Sequence, residues 1–236
     1  MDDFDKHAAA YSQTMNSLLH RMGQEHDFFI SSKVKVLLDL VARHVDNPSR
    51  VRLLDVGCGV GLIEQKLCGT LESVCGIDVS RASIQVARQN APLGKFYDYD
   101  GRAIPFDNNT FDITFAACVM HHVNPVERKA VIAEMVRVTR PAGIIVLVEH
   151  NPYNPATRLM VRLCEFDRGA VLLSRRIARA LLIESGTRII TQRYFMFIPF
   201  KFPGSYLIEH ILGWIPFGAQ YYVACRKMNN CSMTQS

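Results

Sequence analysis

Apolar residues follow two different spacings along this chain, and their order predicts its secondary structure. Short apolar runs closed by glycine or a polar residue are typical of buried parallel strands. Between these runs, apolar residues recur three and four positions apart, as in Val34, Leu37, Leu38 and Val41, which indicates helices. The runs predicted as strands are 51–56, 73–77, 95–99, 111–118, 144–148, 188–197 and 220–225.

Strands and helices alternate five times between residues 49 and 150, and this order predicts an α/β fold with a parallel sheet between two helical layers. The rhythm changes after His150. A loop there leads into a basic stretch, 156–185, that we predict as helical. The last two strands are close in sequence without a long helix between them, so we expect them to form an antiparallel pair.

The stretch from Val51 onwards joins a predicted strand to a predicted helix through three alternating glycines, Gly57, Gly59 and Gly61. Glycines at such a turn let the backbone bend tightly and let a ligand come close. Asp78 ends the next strand, 21 residues after Gly57, a spacing typical of a carboxylate that accepts hydrogen bonds from ribose hydroxyls. Together these features predict a nucleotide-like ligand at the carboxyl end of the sheet.

Four segments resemble, in the same order, the motifs of class I S-adenosylmethionine-dependent methyltransferases, in particular the small-molecule enzymes of biosynthetic gene clusters. They are LLDVGCGVG (53–61), GIDVS (76–80), DGRAIPFDNNTFD (100–112) and VMHHV (119–123). The resemblance covers roughly residues 50–150. It implies a Rossmann-like, doubly wound, seven-stranded and mostly parallel sheet with an antiparallel last strand, an N-terminal helical cap and a helical insertion after strand five.

We therefore predict a single methyltransferase domain over residues 1–236. Its four expected parts are a helical cap (1–48), a cofactor-binding half (49–150), a substrate-side helical region (151–217), and the last strand with its tail (218–236).

The resemblance also implies S-adenosylmethionine as the cofactor and assigns roles to individual residues. The glycine loop would pass under the methionine part, Asp78 would hold the ribose hydroxyls, and Asp100 would accept from the adenine amino group. Asp55 lies inside the first strand, so we expect it to order the glycine loop rather than to contact substrate. The residues expected at the cofactor are Tyr11, Asp55, Gly57, Cys58, Gly59, Gly61, Asp78, Val79, Asp100, Gly101 and Cys118.

Methyl transfer from a sulfonium is an in-line displacement in which the protein mainly supplies positioning, worth up to about 7–11 kcal/mol in favourable cases. A general base is needed only where the acceptor atom carries a proton. His122 and His150 follow strands four and five, and we predict them as the base or as residues that orient the acceptor. The alternative for His122 is simple packing beside the strand-four loop. Other candidates at this edge are His121, Glu149, Asn151 and Tyr153.

Composition and charge limit the substrates, partners and location that we expect for this protein. The net charge is +5 with a pI near 8.9, which permits anionic substrates or a membrane surface without requiring nucleic acid. Seven cysteines without a CxxC pair predict reduced thiols, a cytoplasmic location and no metal site. Adjacent histidines point apart, so the His121-His122 doublet does not by itself predict a metal site. The N-terminus lacks the basic start and apolar core of a signal peptide.

The acceptor is predicted to be a small molecule recognised by residues 151–217. The chain lacks the Asn/Asp-Pro-Pro-Tyr/Phe signature at 118–121, which disfavours nucleic acid as acceptor. Six arginines between 158 and 179 and an apolar stretch, 195–217, stand out in this region. The favoured interpretation is a helix packed on the sheet with its arginines in solvent. The alternative is a surface that contacts a membrane peripherally through 195–217 or covers an apolar pocket, and it implies a hydrophobic, lipid-like or sugar-containing biosynthetic intermediate as acceptor.

Two other classes of protein compete with this prediction. An NAD-dependent dehydrogenase would carry GxGxxG, but the third glycine falls at Gly61 and position 62 is Leu62. A non-catalytic or repurposed S-adenosylmethionine-binding module would have the same motifs without methyl transfer. The sequence leaves the acceptor atom and the oligomeric state open.

Overall fold

The computed structural model describes residues 26–197 and 211–228. Tyr11, predicted at the cofactor, lies outside these residues, as does the middle of the apolar stretch 195–217. Among the described helices, none is long and apolar enough to cross a membrane.

A seven-stranded sheet with the strand order β3-β2-β1-β4-β5-β7-β6 forms the centre of the molecule. β7 runs antiparallel to both of its neighbours, β5 and β6, whereas the other paired strands are parallel. The predicted Rossmann-like fold with an antiparallel last strand is therefore confirmed. The strands are β1 Arg52–Val56, β2 Ser73–Asp78, β3 Lys95–Asp98, β4 Phe111–Ala117, β5 Thr139–His150, β6 Thr187–Phe195 and β7 Gln220–Lys227.

Helices cover both faces of this sheet. Alternate residues of the central strands point to opposite faces, so Leu53 and Phe115 pack under α1 and α2, whereas Leu54 and Leu147 pack under α4 and α6. The helices are α1 His26–His44, α2 Leu62–Leu67, α3 Arg81–Asn90, α4 Arg128–Val138, α5 Pro155–Leu163 and α6 Arg175–Glu184, with 3-10 turns at Pro48–Arg50 and Glu165–Asp167.

Two glycines of the β1–α2 turn are required by close packing. Gly57 has φ +80°, and a Cβ there would lie 2.4 Å from a methyl group of Val119. Gly61 has φ +78°, and a Cβ there would lie 2.9 Å from that of Ala87 in α3. A side chain at either position would push apart elements that form the ligand-binding edge.

The predicted start of the fifth strand at residue 144 is wrong by about five residues. β5 begins at Thr139, directly after α4, and pairs with β4 there. Its register against β4 then shifts, because Phe111 faces Thr139 whereas Ile113 faces Ile144. Residues 140–143 therefore form a bulge inside the strand, with Ala142 at φ +60°.

The continuous helix predicted over 156–185 is also wrong. The structure has two helices, α5 and α6, with a 3-10 turn and an irregular segment between them. Gly169 adopts φ +81°, and the Val171 N–H donates to the carbonyl of His121 instead of continuing a helix. Tertiary contacts with the strand-four loop thus interrupt the helix and bring residues 165–171 to the ligand-binding edge.

Candidate active site

One cavity of about 350 Å³ lies at the carboxyl ends of β1, β2, β4 and β5. Its volume falls in the range of about 300–1,000 Å³ that small-molecule sites occupy. Polar groups line one part of it, and apolar side chains of α1, α5 and the 3-10 turn line another. The apolar part includes Phe29, Ile30, Met160 and Phe166.

The glycine loop supplies the floor of the cavity. The N–H groups of Gly57 and Cys58 both donate to the carbonyl of Ile77 in β2, at 2.7 and 3.0 Å. A Cβ added at Gly59 would meet no atom within 4 Å, so open space lies against the loop backbone. This is the cradle that a ligand lying along the loop requires.

Asp78 ties the end of β2 to the glycine loop. One carboxylate oxygen accepts the N–H of Gly59 at 2.9 Å, and the other accepts the N–H of Ser80 at 2.8 Å. Each carboxylate oxygen has a further lone pair, so Asp78 can also accept from two neighbouring hydroxyls. Its place on the cavity wall fits the predicted role at a ribose.

Residues that follow β2 and β3 also line the cavity. Val79, Tyr99 and Gly101 line it. Asp100 is exposed and is not among the lining residues; one of its oxygens accepts from Arg102 N–H and Ala103 N–H at 2.8 and 3.1 Å. These two bonds lower the pKa of Asp100. The structure thus shows Asp100 ordering the loop that carries Gly101, and its contact with adenine stays a prediction.

Asp55 and Glu64 form a buried acidic pair behind the glycine loop. Asp55 lines the cavity, and its carboxyl is within hydrogen-bonding reach of the Glu64 carboxyl. Burial raises the pKa of both carboxyls, and the Asp55 carboxyl further raises the pKa of Glu64. A buried carboxyl on the cavity wall is suited to the cationic methionine end of the predicted cofactor.

Two other predicted cofactor residues have different surroundings. Cys118 lines the cavity at φ +60°, with its N–H on the carbonyl of Val148 and its sulfur 3.3 Å from Nε2 of Gln220. Burial raises the pKa of the Cys118 thiol, so it lines the wall as a neutral group. Gly61 is not among the lining residues; it packs α2 on α3.

His121 sits in a buried network fixed by Glu149. The Glu149 carboxylate accepts the backbone N–H groups of Val119 and Met120 and lies 2.7 Å from Nδ1 of His121. Burial opposes charge on His121, but Glu149 and a hydrogen bond with Asp167 raise its pKa to about 10. Glu149 is thus a structural acceptor rather than the free base considered from the sequence.

Asp167 joins the two adjacent histidines. Its Oδ1 lies 3.3 Å from Nε2 of His121 and 3.4 Å from Nε2 of His122. Burial alone would raise the pKa of Asp167, but its bonds with His121 and His122 hold that pKa well below the ordinary value. The side chain of His122 is 24% exposed, against 1% for His121, so His122 is the accessible member.

His150 lies on the same wall, with its ring 5.1 Å from that of His121. The side-chain amide of Gln220 lies 3.4 Å from its Nδ1. Burial, and after it the neighbouring His121, lowers the pKa of His150 to about 4, which keeps this imidazole neutral.

The remaining candidates at this edge do not face the cavity as catalytic groups. Asn151 is buried, and its amide donates to the carbonyls of Pro216 and Gly218, which anchors the segment before β7. Tyr153 is 60% exposed and is not a lining residue.

The sequence did not point to Asp167, Gln220 or Lys33, all of which line the cavity. Each comes from a segment without a recognisable motif: the insertion, the start of β7 and α1. Asp167 lies 45 residues after His122 in the chain, so no local spacing connects them. The meeting of His121, His122, His150 and Asp167 in one cavity thus depends on the tertiary fold.

The fold, the glycine loop and the Asp78 cradle agree with the predicted resemblance to class I methyltransferase domains. A family model described as a methyltransferase domain matches residues 54–147. Residues 54–147 are thus similar to a methyltransferase domain, in agreement with the predicted S-adenosylmethionine-dependent enzyme and its cofactor. The dehydrogenase interpretation is thereby wrong.

Two relatives show the range of similar sequences. The chain is 30% identical to a ubiquinone biosynthesis O-methyltransferase of Pelagibacter ubique over 50% of each protein. It is 35% identical to a phosphatidylethanolamine N-methyltransferase of Cereibacter sphaeroides, over 46% of this chain and 55% of the relative. The chain thus spans about half the length of these relatives.

A solved structure shows the same fold over most of the chain. Magnesium protoporphyrin IX methyltransferase of Synechocystis, with bound S-adenosylhomocysteine, superposes with a TM-score of 0.61. The alignment covers 86% of this chain and 83% of that one at 18% identity, which establishes the likeness of fold.

Proposed function

We propose that this protein transfers the methyl group of S-adenosylmethionine to a hydroxyl oxygen of a small, apolar acceptor. The observation that carries the proposal is that one cavity joins the cofactor cradle, the histidines and an apolar wall formed by Phe29, Ile30, Met160 and Phe166. An acceptor placed against this wall would have its polar end beside His122 and His150.

His122 is the proposed base. It is the accessible histidine of the group, and Asp167 orients it through Nε2. In the reaction, the S–CH₃ bond breaks as the O–CH₃ bond forms, and the hydroxyl proton passes to His122. The products are the methyl ether and neutral S-adenosylhomocysteine. His150 is proposed to orient the acceptor.

A lipid-like acceptor fits the outer surface as well as the cavity. Leu159 and Leu163 are more than half exposed on α5, with Arg158 and Arg162 exposed beside them. Asn154, which caps α5, donates to the carbonyl of Phe217 at 2.6 Å and so holds the 214–217 segment at this helix. We infer that this apolar and basic surface, Leu159, Leu163, Trp214 and Phe217 with Arg158 and Arg162, rests on an anionic membrane surface. The relatives named for ubiquinone and phosphatidylethanolamine support a lipid acceptor.

The proposal is tested by measuring S-adenosylhomocysteine formation with a short-chain prenyl hydroquinone, a prenyl catechol and an alkyl alcohol. We expect acceptor-dependent turnover, and His122→Gln should lower kcat by about 10²–10⁴-fold, the usual contribution of a general base. Tyr153→Phe, outside the cavity, is the control.

Two results would contradict the proposal. Unchanged kcat in His122→Gln would remove this residue as base. Tight binding of S-adenosylhomocysteine without turnover of any of the three acceptors would instead favour the non-catalytic binding module.

A further inference from the structure

We propose that His121, His150 and Asp167 bind a divalent transition-metal ion that coordinates the acceptor oxygen. This inference rests on the proposed function, because it specifies an acceptor with a metal-binding oxygen beside its apolar part. The three side chains come from the strand-four loop, the end of β5 and the 3-10 turn Glu165–Asp167. One ligand atom from each lies within 4.8 Å of the other two.

One distance within the group is compatible with a coordination shell as well as with a hydrogen bond. Asp167 Oδ1 lies 3.3 Å from Nε2 of His121, longer than the roughly 2.7–2.9 Å of a charge-assisted hydrogen bond. Ligands held tetrahedrally around zinc, at bond lengths of about 2.0–2.1 Å, are about 3.3 Å apart. The contact of His121 with Glu149, at 2.7 Å, is by contrast a short hydrogen bond.

The partners of the two histidines are those that metal-bound histidines require. Nδ1 of His121 faces the Glu149 carboxylate, which fixes the ring, and the metal would take the place of the proton on Nε2. Nδ1 of His150 faces the Gln220 amide at 3.4 Å. The atom placed there is the amide nitrogen, while the amide oxygen has no hydrogen-bond partner among the described residues. Exchanging the two amide atoms lets the oxygen accept from Nδ1–H, and the other nitrogen of His150 then keeps its lone pair for a metal.

The ligand set selects the kind of ion. Two imidazoles and one carboxylate suit Zn²⁺, Fe²⁺ or Co²⁺, whereas Mg²⁺ and Ca²⁺ prefer oxygen ligands. Three protein ligands leave at least one position for another oxygen, and all three line the same cavity as the glycine loop. An acceptor hydroxyl in that position would coordinate the ion, which would act as a Lewis acid. His122, which is not one of the ligands, would receive the hydroxyl proton.

The test is titration of the chelator-treated full-length protein with Co²⁺, followed by visible spectroscopy and by metal analysis after dialysis. We expect one equivalent per chain with the d–d bands of a four- or five-coordinate site. His150→Asn and Asp167→Asn should each weaken Co²⁺ binding at least about 10-fold, as loss of a ligand or its support does. Glu165→Gln, which changes a carboxylate in the same 3-10 turn, should bind as the wild type does.

Binding of S-adenosylhomocysteine and thermal melts on the same samples show that each variant is folded. No Co²⁺ bands in folded wild type, or equal bands in both ligand variants, would overturn the metal site. Methyl transfer that continues after chelation would also overturn it, while leaving the proposed function intact. Co²⁺ binding without methyl transfer would support the site and contradict the proposed function.

Discussion

Asp78 shows how a single side chain connects fold and ligand binding. Its carboxylate holds the backbone of Gly59 in the glycine loop and that of Ser80 at the start of α3. The same oxygens face the cavity where the ribose of the cofactor is expected. A carboxylate at this place therefore shapes the loop and presents acceptors to the ligand.

Asp78→Ala should abolish most cofactor affinity. Hydrogen bonds to a charged group contribute about 1.5–3 kcal/mol each, so the loss of two ribose bonds should weaken S-adenosylhomocysteine binding at least about 100-fold. Isothermal titration calorimetry measures this directly.

Asp98→Ala is the matched control for that variant, because Asp98 ends the neighbouring strand and pairs on the surface with Arg81. Its affinity for S-adenosylhomocysteine should stay near that of the wild type. If Asp78→Ala bound within threefold of wild type, Asp78 would not be the ribose ligand.

At the scale of elements, the β1–α2 unit contains an unusual burial of charge-bearing groups. Asp55 on β1 and Glu64 on α2 are both buried, and burial raises the pKa of each. A carboxyl whose folded-state pKa lies above its unfolded value adds stability only while it is protonated. The pair therefore stabilises the fold at acidic pH, and this contribution is lost as the pH rises through the folded-state pKa values.

Glu64→Gln removes one of these ionisations while keeping the shape of the side chain. Because burial raises the pKa of Glu64, we expect Glu64→Gln to raise the free energy of unfolding at pH 8, by on the order of 1 kcal/mol, the usual size of a single-residue effect. The gain should shrink towards pH 5, where the wild-type pair holds its protons. Urea unfolding without cofactor at both pH values measures the difference.

Glu72→Gln, at an exposed carboxylate just before β2, is the control and should change stability little at either pH. The opposite pH dependence would contradict this expectation. If Glu64→Gln lost stability relative to wild type, and lost more at pH 8 than at pH 5, the charged form of Glu64 would be favoured in the fold.

At the scale of the whole molecule, the cavity and an exposed helix lie on the same side of the protein. Both are at the carboxyl ends of the strands, where α5 exposes leucines and arginines beyond the cavity. Five of the six arginines between 158 and 179 are exposed, whereas Arg175 stacks 4.2 Å from the ring centre of Tyr194. A membrane surface in contact with α5 would present an apolar acceptor to the cavity.

Membrane binding should depend on the charges of α5. At about 1 kcal/mol for each arginine near an anionic surface, Arg158→Gln with Arg162→Gln should weaken binding to phosphatidylglycerol vesicles roughly 30-fold. Sedimentation with vesicles measures this, and neutral phosphatidylcholine vesicles should bind the wild type weakly.

The control pair is Arg50→Gln with Arg188→Gln, two exposed arginines beside the amino ends of β1 and β6. It should leave vesicle binding unchanged. Equal loss in both double variants would indicate a general charge effect, and unchanged binding in the α5 variant would contradict the proposed membrane surface.

The sequence by itself determined the order of the elements and the cofactor half of the site. Six of the seven predicted strands begin and end within two residues of the observed ones, because alternating apolar runs and glycine turns are local signals. Asp78 and Gly57–Gly59 are local too, since one strand–loop–helix unit and the next strand bring them together.

Only the tertiary structure decided the acceptor side. His121, His150 and Asp167 come from three distant segments, and their meeting depends on how the insertion after β5 breaks at Cys164 and returns over the strand-four loop. Contacts with His121 and His122 replace helical hydrogen bonds there, which no propensity of residues 156–185 reveals. Local spacing thus predicts the donor site, whereas long-range packing creates the group of side chains that meets the acceptor.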